Sequence, residues 1–378
     1  MKASKVLVTG GSGFIGSHVI ELLHRNHYDL IVLDNMDPQV HGTQGKPTGV
    51  RDMAISYVID DIRNRKKLGP ILKKVDAVIH LAACVGVGQS MYEIERYVDS
   101  NTRGTATLLE LLASLEHSVE KLIVASSMSV YGEGKYYCPE CKSFQTPDLR
   151  SFGRATPVDW EHKCKSCGKD LKPVPTDEDA PLKPTSIYAM SKRHQEEMSL
   201  LVGKTYGIPT IALRFFNTCG PGQSLSNPYT GAAAIFMNRI LNKRPPYIFE
   251  DGNQLRDFIH VKDVARACLL ALERNDADYL PVNVGTGQPT SIRQMAETLI
   301  KIFGANTKPY ISREFRKGDV RHCYASTERA GKLLKFTTGL TFQEALIDLV
   351  QWTGTEAGKS PVDMFEKALR QLRERNLA

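Results

Sequence analysis

The stretch VLVTGGSGFIG, residues 6–16, decides the fold. Its apolar half reads as a buried strand. Its second half sets Gly10, Gly13 and Gly16 between that strand and an amphipathic stretch near Ser17 to His24 that reads as a helix. Backbone without side chains at a helix N-terminus lets a pyrophosphate reach free amide groups at the positive end of the helix dipole. A glycine triplet alone also fits an ordinary strand-to-helix turn. Here the next strand, LIVLD, closes on Asp34, about where an acid can accept hydrogen bonds from an adenosine ribose and repel a 2′-phosphate. The pattern therefore points to NAD rather than NADP. Candidate cofactor contacts are Gly10, Gly13, Phe14, Ile15 and Gly16 on the turn, Asp34 and Asn35 after the second strand, Asp61 and Ile62 after SYVI, and Leu81, Ala82 and Ala83 after AVIH. Asp61 suits either the adenine amino group or a helix cap.

Outward from this turn the chain repeats short Val/Ile/Leu runs, LIVLDN, AVIHLAA and KLIVASS, separated by amphipathic stretches. Buried parallel strands joined by helices produce that alternation, so the fold class is α/β, a Rossmann-type doubly wound parallel sheet. TIALRFF and the segment around PVNVGTG extend the same sheet. The expected organisation is an NAD-binding domain over 1–216, interrupted by an insertion over 134–184, and a smaller substrate lobe over 217–378. From that lobe, 258–286 returns to the first domain. NPYTGAAAIFMNRIL and SIRQMAETLIKIF read as helices of the lobe.

With 378 residues and a 42% hydrophobic fraction the chain can bury a large core. Its net charge of +7 contains no block of like charges, which argues against a nucleic-acid tail. The N-terminal residues lack a signal-peptide pattern, and no apolar run is long enough to span a bilayer, so the expectation is a cytoplasmic protein without a membrane partner.

Tyr188 and Lys192 in YAMSK are four residues apart, which on a helix puts both on one face. An ammonium near a phenol favours the phenolate, so such a tyrosine can take and return a carbinol proton near neutral pH. Ser127, in SSMSVYG, ends a strand, where active-site hydroxyls reach the crevice of an open sheet. In this order along nearly the whole chain, the glycines, Asp34, Ser127, Tyr188 and Lys192 resemble the extended short-chain dehydrogenase/reductase family. The resemblance implies Tyr188 as base, Ser127 as partner of the substrate hydroxyl, and Lys192 holding also the nicotinamide ribose. It places Asn101 near the active site, where a helix-capping role is equally compatible, and it implies a homodimer.

Met128 and Ser129 follow Ser127 where the family's sugar 4,6-dehydratases carry an Asp-Glu pair, so dehydration lacks its proton carriers. A net reductase of this family usually uses NADPH, against which Asp34 speaks. What remains is 4-epimerisation of a nucleotide-diphosphate sugar through a transient 4-keto intermediate, with the hydride borrowed and returned. By resemblance, Asn217 in RFFNTCGP, Arg256 in QLRDFIHV and Arg321 in GDVRHCYAS face the diphosphate; guanidinium groups suit phosphate because they bond it in bidentate fashion. The segments LDNMDPQVHG, VGVGQSMYEIERYV and SNPYTGAAAIF resemble the dTDP-L-rhamnose 4-epimerase subgroup, which forms dTDP-6-deoxy-L-talose. That likeness puts Val87, Gln89 and Ser90, with Ser129, at the sugar. A UDP-glucose/UDP-galactose 4-epimerase is the nearest alternative, followed by a nucleotide-sugar reductase and an NAD-binding module without turnover.

Of eight cysteines, Cys84, Cys219, Cys268 and Cys323 are scattered and read as small core residues. Cys138-Pro-Glu-Cys141 and Cys164-Lys-Ser-Cys167 have the two-residue gaps with which a knuckle binds one tetrahedral metal. The expectation is structural zinc clipping the insertion together. Redox-active or disulfide-bonded dithiols are the alternative.

Overall fold

The Val/Ile/Leu runs pair as parallel strands: β1 (Lys5–Thr9), β2 (Asp29–Asp34), β3 (Ser56–Ile59), β4 (Ala77–His80) and β5 (Lys121–Ser127). In the computed structural model, residues 4–41, 55–150, 159–229, 231–356 and 362–378 are described. Residues 151–158 of the insertion, Gly42 of LDNMDPQVHG and Thr230 of NPYTG lie outside them. After β6 (Lys135–Cys138), β7 (Ser143–Gln145) and β8 (Lys172–Val174), the sheet resumes with β9 (Thr210–Phe215). There follow β10 (Asn217–Cys219), β11 (Tyr247–Ile248), β12 (Leu255–His260) and β13 (Pro281–Val284), then β14 (Pro289–Ser291), β15 (Tyr310–Ile311) and β16 (His322–Cys323).

Seven parallel strands form the main sheet in the order β13-β9-β5-β4-β1-β2-β3. Both faces are covered, which is why its central strands are apolar throughout rather than alternating. On one face Val19, Ile20 and Leu23 of the helix Phe14–Arg25 pack with Val264, Ala267 and Ala271 of the helix Val261–Glu273. On the other lie Leu68, Leu108 and Leu112, from the helices Arg65–Leu72 and Gly104–Ser114. A fully buried side chain such as Leu7 or Ile79 contributes about 1.5–3 kcal/mol relative to exposure. The C-terminal lobe has its own core, with Phe236, Leu299 and Leu346 from three helices. Its small sheet runs β10-β12-β14, with β16 pairing β12. Among the described residues no helix is long and apolar enough to cross a membrane.

The insertion is a three-stranded sheet, β7-β6-β8, around four buried residues, Tyr136, Cys138, Cys164 and Leu171. It ends earlier than the expected boundary at 184. From Thr176 the chain is knitted into the main body: Thr176 N donates to Tyr324 O (2.8 Å), and Glu178 Oε1 accepts from Asn283 N (2.8 Å). These polar residues look like loop in sequence because all their partners are distant in the chain.

Candidate active site

The sheet order reverses between β1 and β4, which opens a crevice at the C-terminal strand ends. Gly10 turns the chain there with φ +69°, and a Cβ on it would lie 2.7 Å from Ala82 N. A Cβ on Gly16 would lie 2.3 Å from Gly10 O, so that position serves close packing of helix on strand. Gly13 differs: its Cβ would meet only Gly10 O, at 3.3 Å, and it heads the helix Phe14–Arg25 without a side-chain cap. That helix start is therefore open to an anion.

A cavity of about 500 Å³ runs from this turn to the end of β5. Gly10, Gly13, Phe14, Ile15, Gly16, Asp34, Asn35, Asp61, Ile62, Leu81, Ala82 and Ala83 all line it. Asp34 is held by Ser12 N (3.0 Å) and Met36 N (2.9 Å). Hydrogen bonds from the Arg63 side chain pull the Asp61 carboxyl down to about 2. The cap of the next helix is Asn64, so Asp61 does not serve there. A glycine cradle, an open helix N-terminus and an acid at the end of β2 fit a dinucleotide with free ribose hydroxyls. Asn101 neither caps a helix nor lines the cavity. Its amide bonds both the N–H (2.7 Å) and the carbonyl (3.0 Å) of Cys84 and also donates to Ser191 Oγ (2.9 Å), which staples the loop after β4 to the helix Ile187–Tyr206.

Ser127, Tyr188 and Lys192 converge on the cavity wall. Ser186 caps the helix Ile187–Tyr206 through Ala189 N (3.1 Å), which sets Tyr188 in its first turn. Ser90 Oγ accepts from Tyr188 N (3.0 Å), and Tyr97 packs edge-on against the Tyr188 ring at 6.4 Å. Ser127 Oγ accepts from Ser129 N (3.1 Å) and Ser129 Oγ (2.9 Å), which leaves its own proton free for a further acceptor. Burial raises the Tyr188 phenol above its ordinary value, while the Ser127 hydrogen bond acts in the opposite sense. Burial also lowers Lys192 to about 7, partly offset by Glu196. Sequence reasoning missed the partner of this lysine: Lys192 Nζ donates to Gln195 Oε1 at 2.7 Å. The three-residue helical spacing of that pair was the available signal.

Val87, Gln89, Ser129 and Asn217 line the same cavity, whereas Ser90 sits behind it as the anchor of Tyr188. Asn217 Oδ1 is buried without a hydrogen-bond partner, as is Gln223 Oε1, so both amides keep bonding capacity for a ligand. The two arginines expected at the diphosphate stand off the cavity wall. Arg256 donates to the carbonyls of Leu255, Val320 and Arg321, and Arg321 is buried among Glu161, Glu250 and Asp251; neither lines the cavity. Arg96 does line it, tied to Asp37 and Glu93; it lies in the segment VGVGQSMYEIERYV, where the sequence alone assigns it no role. The acids on the wall, Asp34, Asp37, Asp60 and Asp61, all come from the β2 and β3 ends; among the described residues none adjoins Ser127.

In the insertion, the Sγ atoms of Cys138, Cys141, Cys164 and Cys167 lie within 4.8 Å of one another. Cys138 and Cys167 are 3.5 Å apart, Cys141 and Cys164 3.7 Å. Zinc–sulfur bonds of about 2.3 Å in a tetrahedron place thiolates about 3.8 Å apart, so the four fit one ion.

A family model described as the NAD dependent epimerase/dehydratase family matches residues 6–155 and 164–285. The chain belongs to this family. It is 32% identical over 354 residues to a dTDP-L-rhamnose 4-epimerase of Burkholderia thailandensis, covering 93% of this chain and 95% of that protein. The solved UDP-glucose 4-epimerase of Thermotoga maritima with UDP-glucose matches with a TM-score of 0.74 and 30% identity, over 93% of this chain and 99% of that one. The UDP-glucuronic acid 4-epimerase of Bacillus cereus, solved with UDP-glucuronic acid and NAD, has a TM-score of 0.74 and 26% identity over the same shares. These relatives are nucleotide-sugar 4-epimerases, and the chain is an enzyme of their family.

Proposed function

We propose that the enzyme epimerises C4 of a nucleotide-diphosphate sugar, with dTDP-L-rhamnose converted to dTDP-6-deoxy-L-talose as its reaction. One observation carries this reading: Ser127, Tyr188 and Lys192 meet on a cavity wall where, among the described residues, no lining carboxylate lies beside them, so a proton can be moved at one hydroxyl and nowhere else. When bound, NAD supplies a reversible acceptor for the C4 hydrogen. The chain's own part is to hold the sugar hydroxyl between Ser127 Oγ and the Tyr188 oxygen, with Tyr188 as the base that removes and restores its proton. Lys192, when charged, favours the phenolate. Asp34 binds the adenosine ribose, Gly13 and the helix behind it the pyrophosphate, and Asn217 the substrate phosphate.

For the sugar, the subgroup likeness of the segments around Val87 and Gln89 is joined by a physical argument. Val85, Val87, Met128 and Phe216 give the cavity wall an apolar character that suits a 6-methyl group better than a hydroxymethyl group. UDP-glucose is the competing substrate. Proton NMR with dTDP-L-rhamnose and, separately, UDP-galactose tests both. Conversion at C4 of the first without net NADH supports the reading, and conversion of only the second replaces it.

The four-thiol cluster supports a structural zinc ion, because four sulfur ligands leave no position for a reacting water. A homodimer through the paired helices is supported by Ile94, Val98, Met190 and Leu201, exposed on neighbouring helical segments.

A further inference from the structure

Arg321 is one of the largest fully buried side chains; Glu250 and Asp251 hold it from the lobe, and a third acid, Glu161, comes from the insertion. Glu161 Oε1 accepts from Arg321 Nη2 (2.5 Å) and Nε (3.0 Å). Its other oxygen bonds His322 Nε2 at 2.8 Å. His322 Nδ1 accepts from Leu255 N (3.0 Å), so Nε2 carries the proton and donates to Glu161. A second contact runs the opposite way: Arg150, also from the insertion, makes a two-pronged bond to Glu250 (2.8 and 3.0 Å). Glu133, at the base of the insertion, accepts from Arg321 N with both oxygens (2.9 Å) and pairs with His162.

This junction has a short route to the cavity. Arg321 leads into β16, β16 pairs β12 with its first residue His322 opposite Leu255, and β12 pairs β10 with Phe258 opposite Asn217. Asn217 and Phe258 both line the cavity. Among the described residues the insertion's own apolar core is Tyr136, Cys138, Cys164 and Leu171, too small to hold Arg150 and Glu161 in place unaided.

We infer that the four-thiolate zinc site is the clasp of a brace: by ordering the insertion it seats Arg150 and Glu161 against Glu250 and Arg321, and so fixes the small sheet that presents Asn217 to the substrate. Ser127, Tyr188 and Lys192 stand on the main sheet and its helix; Met128, beside Ser127, shares a core with Phe216 and with Cys323 of β16, but the catalytic side chains bond Ser129 and Gln195 rather than any residue of the brace. Loss of the ion therefore raises KM while kcat changes little. The kinetic half rests on the epimerase reading; the metal and the ordering do not.

The test uses the full-length chain purified under reducing conditions, in a Trp352→Phe background that leaves Trp160, beside Glu161, as the only indole. Metal analysis is expected to give one zinc per chain. Chelation is expected to shift Trp160 emission and raise KM by about tenfold or more, the scale of one lost buried charge-assisted contact, with both restored by added zinc. Glu161→Gln keeps all four thiols, so it is expected to retain zinc and still raise KM. No zinc, another metal in its place, or disulfides between the cysteines overturns the site. Zinc that leaves without moving Trp160 emission or KM, or a Glu161→Gln variant of unchanged KM, overturns the brace. Absence of turnover with every sugar, alongside the expected metal count and emission shift, counts against the epimerase reading alone.

Discussion

Lys192 Nζ donates a hydrogen bond to the side-chain carbonyl of Gln195 at 2.7 Å, and the Gln195 amide in turn donates to Thr105 Oγ1 at 2.8 Å. The catalytic cation is thus steadied by a neutral group three residues along its own helix. Replacing the acceptor, Gln195→Leu, removes a partner of the charged form and lowers Lys192 further below its position at about 7. Because the ammonium exists below that value and vanishes above it, the descending limb of kcat against pH is expected to move down by about one to two units, the equivalent of one hydrogen bond to a buried charge. An unchanged pH profile would show that Gln195 only packs.

Tyr188 supplies the one base the proposed reaction uses. Tyr188→Phe removes the phenol but keeps the ring against Tyr97 and the backbone bond to Ser90. Cofactor retention is expected to survive, while kcat falls about 10²–10⁴-fold, the usual range for a lost general base. Proton NMR at C4, with absorbance for bound NAD, reads both. Full turnover by this variant would remove Tyr188 from the mechanism.

The glycine turn separates fold from binding. Gly16→Ala sets a Cβ 2.3 Å from Gly10 O, a collision with backbone that cannot yield, so loss of folded protein is expected. Gly13→Ala adds a Cβ with only a 3.3 Å neighbour, on the side the pyrophosphate would take. That variant is expected to melt near the parent temperature and to have lost most of its NAD affinity by calorimetry. If Gly13→Ala bound NAD as the parent does, the cofactor would not lie on this helix start.

The main sheet was readable because each strand is a run of apolar residues closed by a turn, and covering both faces demands that pattern. Tyr188 and Lys192 were readable because four-residue spacing on one helix fixes a shared face, and Ser127 and the glycines because they stand at the ends of strands that were themselves readable. The partners of Arg256 and Arg321 were not readable, because they are carbonyls of Val320 and Arg321 and acids from Glu161 to Asp251. Nothing local to either arginine announces those partners. Thr176 and Glu178 fall in a stretch whose composition and lack of periodic apolar spacing read as insertion, while their hydrogen bonds run to Tyr324 and Asn283.

His80 ties the catalytic network to acid stability. Its ring is fully buried, with Nδ1 at 2.8 Å from Thr9 Oγ1 and Nε2 at 2.9 Å from Thr105 Oγ1, the same hydroxyl that Gln195 bonds. Burial, reinforced by the Lys192 charge, lowers this histidine to about 3. Its value in the unfolded chain is the ordinary 6.5, so below that pH the unfolded state binds the extra proton and the folded state does not. The contribution of His80 is complete above pH 6.5 and falls by about 1.4 kcal/mol per pH unit as pH drops towards 3. Urea unfolding at pH 7.5 and pH 5 is expected to show the parent losing about 2 kcal/mol more than a His80→Gln variant, which cannot titrate. Equal losses in the two proteins would mean that the imidazole is reached by protons in the native state.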